Sequence, residues 1–257
     1  MNLNYIIADI NYSVESIMEF TKPELPAFWS DPFFHFFPDI DRVYFNTLDK
    51  ESRAKLLTVY FKNFENENKA LLDEKLQKYN RRWEECRNQV VSALEDSFSL
   101  DLSDLFNDMK CFVTYNPVSP RYLENHSFDV FYLNSENGAL GSSIHEIIHF
   151  VWFYVWQNHF RDDSSEYETP NLKWVLSEAL VETIMRDERL YSINPYAKDC
   201  VYPYFYTMNP GGRNILDIFY EMFSSMSITE FMEESYRFCV EHENEIRAHI
   251  EKSENNP

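Results

Sequence analysis

Two histidines and a glutamate stand within five residues of each other in residues 142–156, SSIHEIIHFVWFYVW, a run that is otherwise nearly all apolar past its serines. In a helix, side chains four apart share a face, so His145 and His149 project side by side while Glu146 sits about 100° round. Two neutral imidazoles on adjacent turns can bind one zinc ion, and a neighbouring glutamate can reach a water molecule there without ligating the metal. Ile144, Ile147, Ile148, Phe150, Val151 and Trp152 make the helix apolar on nearly every side, the pattern of a core helix. Burying imidazoles and a carboxylate there without partners costs several kcal/mol, so they must be neutralised, hydrogen-bonded or metal-bound.

Such a site needs a third ligand. Position 155 is Val, so no histidine stands six residues past His149, and His159 lies ten residues on and projects elsewhere. The next helical pattern, TPNLKWVLSEALVETIMR, is expected to start with Thr169 as cap and Pro170 in its first turn. Amid its apolar residues stand Glu178 and Glu182, four apart on one face, where like charges repel. A zinc ion taking Glu178, with Glu182 accepting a histidine ring N–H, accounts for both glutamates. Glutamates facing solvent are the plain alternative.

The pair HEIIH and SEALVE resembles the gluzincin group of zinc metallopeptidases, whose signature is HExxH followed by a helix carrying ExxxD or ExxxE. The resemblance covers about residues 110–190. It implies a strand just before the catalytic helix and zinc held by His145, His149 and Glu178, with Glu182 orienting His145. It further implies peptide-bond hydrolysis in which Glu146 acts as general base and then general acid. An oxyanion donor in such enzymes comes from downstream, where Tyr202, Tyr204, Tyr206, Arg213 and His242 are the candidates and Tyr206 the first choice. The rival from another class is a binding or scaffold protein of the same build, with a structural or inactive metal. An intact Glu146 favours the enzyme, since a structural site needs no general base. His35, His126, His242 and His249 otherwise read as packed or surface side chains.

The elements that must position these residues give an α+β, predominantly helical fold, a zincin-like core whose short sheet precedes the metal helix. Strands are expected at 110–115 and 127–133; the second could pair with an extended substrate or simply belong to the core. Residues 1–107 read as a helical N-terminal region with an irregular, proline-rich aromatic insert at 21–39, and 108–257 as the metal-binding region. Within 66–98, Leu72, Leu76, Tyr79, Trp83, Cys86, Val90 and Leu94 recur at steps of three and four, a seam for a partner helix of the same chain or for a homodimer. Further helices are expected at 171–187, 213–224 and 228–251, with NPGG at 209–212 as a break.

A formal charge of −20 over 257 residues excludes phosphate-backbone binding to nucleic acid and disfavours anionic membranes. The start, MNLNYIIADI, carries an early Asp9 and no basic residue, unlike a signal peptide. The four cysteines form no CxxC pair and read as reduced thiols. A cytoplasmic protein acting on a peptide or protein substrate is the expectation.

Overall fold

The computed structural model describes residues 1–193 and 200–255. It is predominantly helical with one small mixed sheet. Contacts divide the chain into two compact units, one of residues 2–85 and 106–140, the other of residue 1, 86–105 and 141–257. Two long helices each run on from one unit into the other.

In the first unit, β1 (Leu3–Ile7), β2 (Met109–Thr114), β3 (Arg121–Tyr122) and β4 (Ser127–Phe131) form a sheet of order β1-β2-β4-β3, parallel except for β3. β2 and β4 are the two expected strands. β1 falls where helix was expected: its five residues pair with a strand more than a hundred positions away, and no local pattern announces so distant a partner. Its outer edge is covered by the Asn80 carboxamide, which accepts from Tyr5 N–H and donates to Tyr5 C=O, both at 3.1 Å. β4 lies between β2 and the two-residue β3 and is buried throughout, as a core strand is.

Helix α1 (Ile10–Phe20) is capped by Asp9 and tied to β4 by a buried carboxylate. Asp129 accepts from Tyr12 Oη at 2.6 Å and Ser16 Oγ at 3.1 Å, and the Asn116 amide donates to Ser16 Oγ at 2.9 Å. The proline-rich insert is helical in part, forming α2 (Ala27–Phe36) around Pro32, with α3 (Arg42–Thr47) after it. Pro26 sits just outside α2 and costs it no hydrogen bond, while Phe33 and Phe37 pack onto Phe61, giving a tertiary reason to stay helical. Phe61 in turn stacks on Tyr115 at 4.6 Å.

Helix α4 (Lys50–Phe98) begins well before the periodic stretch at 66–98. Of that seam, Leu72, Tyr79, Trp83, Cys86, Val90 and Leu94 are buried by the chain itself, so these residues form no open face for a second copy.

The second unit holds the end of α5 (Glu136–Phe160), then α6 (Leu172–Met185), α7 (Glu188–Ile193), α8 (Ile215–Ser225), α9 (Ile228–Glu241) and α10 (Glu243–Asn255). Helix α6 is its centre, with every residue from Val175 to Met185 buried, and α8 and α9 pack on it. Trp152 of α5 and Phe219 of α8 both meet Phe231 of α9, each at 6.1 Å. The expected helix at 228–251 is interrupted at His242, which ends α9 before α10 starts. Asn171, rather than Thr169, occupies the cap position of α6, and Pro170 lies outside its first turn.

The link from α5 to α6 is pinned by Asp162. Its carboxylate accepts from Trp156 Nε1 of α5 at 3.0 Å, from Tyr167 Oη at 2.5 Å and from Lys173 Nζ of α6 at 2.5 Å. The Tyr167 ring stacks on Phe153 at 4.2 Å. No helix among the described residues is long and apolar enough to cross a membrane.

Candidate metal centre

The motif lies well inside α5, where Ile144, Ile147, Ile148, Val151 and Trp152 are wholly buried. That packing leaves His145 and His149 no freedom of face: their rings stand 4.8 Å apart, centroid to centroid. Glu178 reaches them from α6. His149 Nε2 is 3.1 Å from His145 Nε2, Glu178 Oε1 is 3.3 Å from His149 Nε2, and Glu178 Oε2 is 3.4 Å from His145 Nε2. Among the described residues, this is the one group of histidine, cysteine or carboxylate side chains whose ligand atoms all lie within 4.8 Å of one another.

These spacings test whether a metal fits. Zinc bonds of about 2.0–2.1 Å to nitrogen and oxygen, set tetrahedrally, place neighbouring ligand atoms about 3.4 Å apart. The two ring nitrogens, 3.1 Å apart, are close to one such edge, and the Glu178 carboxylate faces both of them, Oε1 at 3.3 Å from His149 Nε2 and Oε2 at 3.4 Å from His145 Nε2. Two imidazoles and a carboxylate suit zinc and other divalent transition ions alike.

Proton positions agree with ligation. His145 Nδ1 lies 2.9 Å from the backbone carbonyl of Cys200, which can only accept, so Nδ1 carries a proton and, in the neutral ring, Nε2 would be the nitrogen left to ligate a metal. Burial alone would raise the Glu178 carboxyl, but the rings of His149 and His145 hold it well below the usual carboxylate range, as an anion. Burial grades across the site: the side chain of His149 is 0% exposed, that of Glu178 5% and that of His145 18%, so solvent reaches the cluster from the His145 side. Glu146, the next residue, is 7% exposed.

Glu182, expected to accept from a histidine ring, has other partners. Its Oε2 accepts from Cys200 Sγ at 3.2 Å and from Tyr206 Oη at 3.1 Å, and its Oε1 lies 3.4 Å from Arg186 Nε. The acceptor found at His145 Nδ1 is a main-chain carbonyl, a role no side-chain pattern in the sequence could signal. Tyr206, the first choice as oxyanion donor, donates its hydroxyl hydrogen bond to Glu182, and burial together with that carboxylate raises its pKa, so it keeps its proton. The other downstream candidates have partners of their own. Arg213 pairs with Glu221, His242 with Glu245, and Tyr202 stacks between Trp174 and Tyr204. His126 pairs with Asp108, His159 with Glu233, and His249 meets the Tyr204 carbonyl.

Comparison of the chain with protein-family models, with curated proteins and with solved structures gives no match.

Proposed function

We propose that this protein is a zinc-dependent hydrolase of gluzincin type, a metallopeptidase in which His145, His149 and Glu178 hold the metal and Glu146 moves the proton. The observation that carries the reading is the convergence of two ring nitrogens 3.1 Å apart and a buried carboxylate that faces both, with Glu146 next to His145 in the chain. When bound, zinc supplies a Lewis acid that polarises a carbonyl and lowers the pKa of water to about 7.

The remaining chemistry belongs to the chain. His145, with its proton fixed on Nδ1, and His149 offer neutral Nε2 donors, and the Glu178 anion offsets part of the metal's charge. Glu146 takes a proton from the attacking water and delivers it to the leaving amine nitrogen, so one carboxylate serves as base and then as acid. The apolar side chains of α5 exclude bulk water from this exchange and strengthen every electrostatic contact within it. Access from the His145 side brings an extended peptide or protein substrate to that edge.

One observation favours a second reading, a scaffold with a structural metal: two of the three donor side chains are almost completely shut off from solvent. Metal analysis of the purified protein beside a peptide-library cleavage assay separates the two. Wild type should carry one zinc per chain and cleave; Glu146→Gln should keep zinc and lose cleavage. Cleavage retained in Glu146→Gln overturns the mechanism, and a fully zinc-loaded wild type that cuts nothing supports the scaffold.

A further inference from the structure

Glu182 and Cys200 belong to a relay whose end point is a metal ligand. Glu182 lies one helical turn past Glu178 on α6, and a single carboxylate oxygen, Oε2, receives both the Cys200 thiol at 3.2 Å and the Tyr206 hydroxyl at 3.1 Å. It therefore anchors segment 200–206 at both of its ends. The first residue of that segment presents its carbonyl to His145 Nδ1 at 2.9 Å. The side chain of Cys200 thus faces the carboxylate while its main chain faces the histidine.

We propose that Glu182 and the Cys200 thiol are positioning residues, which hold the Cys200 carbonyl in line with His145 and so lock that ring as the Nδ1–H tautomer with Nε2 turned to the metal. This rests on the metal-binding reading above and assigns to Glu182 an indirect role in place of direct contact with a ligand. The physical need is specific. A neutral imidazole has two tautomers, and a metal can use Nε2 only in the form protonated on Nδ1, so whatever fixes an acceptor at Nδ1 fixes the ligand. A main-chain carbonyl on a short connecting segment is a poor fixture unless the segment itself is tied down. A thiol is a weak donor, but towards an anionic carboxylate the bond is charge-assisted.

The proposal distinguishes itself from plain packing through the order of two substitutions. If Cys200 is a small apolar side chain in a half-buried place, alanine suits it better than serine. If its hydrogen atom matters, serine keeps a donor and alanine does not. Zinc affinity, read by competition with a chromogenic chelator, and the ring 15N shifts of His145 in metal-free protein give two readouts independent of catalysis. Cys200→Ser should stay within about threefold of wild type, while Cys200→Ala and Glu182→Ala should each weaken zinc binding by about 10- to 100-fold. In both alanine variants the His145 Nδ1 shift should move away from its protonated wild-type position. Tyr206→Phe, at an exposed position where folding is not at risk, should lose affinity by a few fold.

Alanine binding zinc as well as serine at position 200, with His145 tautomers unchanged, overturns the proposal. So does an equal and complete loss in both, which would make the thiolate itself a ligand. His145→Ala and His149→Ala are the controls for the metal site: if they bind zinc like wild type, the metal reading fails, and if they lose zinc while Cys200→Ala keeps it, the positioning role alone fails.

Discussion

At the scale of single residues, Glu178 is where burial and charge conflict most sharply. A carboxylate this deeply buried persists as an anion because two imidazoles face it at 3.3 and 3.4 Å, and a cation among the three would complete the neutralisation. Glu178→Ala should abolish stoichiometric zinc in metal analysis of the purified protein. Glu178→Gln should lose nearly as much, since an amide oxygen is a poor replacement for a carboxylate on zinc. Zinc at one equivalent in Glu178→Ala would mean that the third ligand has been misassigned.

At the scale of elements, the site depends on keeping α5 and α6 in fixed relation, and Asp162 is the staple between them. Burial alone would raise its pKa, but the bonds from Lys173, Tyr167 and Trp156 outweigh that and lower it. Because the folded pKa lies below the unfolded value, the stabilisation is fully present above the unfolded pKa and disappears as pH falls through the folded one. Asp162→Asn should therefore cost about 2 kcal/mol in urea denaturation at neutral pH, the scale of hydrogen bonds to a charged group. The gap between the two proteins should close below about pH 4. A gap that persists undiminished in acid would show that the ionised carboxylate is not what holds the link.

At the scale of the whole molecule, the metal cluster and the Asp129 network lie in different compact units. Removing Asp129 takes a charged acceptor from the half-buried Tyr12 hydroxyl and the buried Ser16 hydroxyl, and burial with the Asp129 charge already raises the Tyr12 pKa, a sign of how closely the two are bound. Asp129→Ala should lower the stability of the chain by about 2 kcal/mol in denaturant unfolding, as one buried and one half-buried hydroxyl lose a charged acceptor. Zinc affinity should stay at the wild-type value, since the ligands, and the Cys200 carbonyl that holds His145, belong to the other unit. A fall in zinc affinity alongside stability would show that the two units are energetically coupled at the site.

The sequence alone determined what local spacing can determine. Positions four apart put His145 beside His149 and Glu178 below Glu182, and the apolar residues around them required burial, so the meeting of those three donor side chains was legible before any fold was known. The helical character, the strands β2 and β4 and the buried face of α4 followed from the same periodicities. Tertiary structure decided what depends on distant or main-chain partners. β1 is a strand because it pairs with residues far along the chain, and the aromatic insert forms a helix because Phe61 waits for it. Asn171 takes the cap position of α6 in place of Thr169, and Lys173 in its first turn is tied to Asp162. Glu182 is turned towards segment 200–206, while a carbonyl at Cys200 holds His145, since backbone acceptors carry no residue code and only the folded chain brings them to a ring nitrogen.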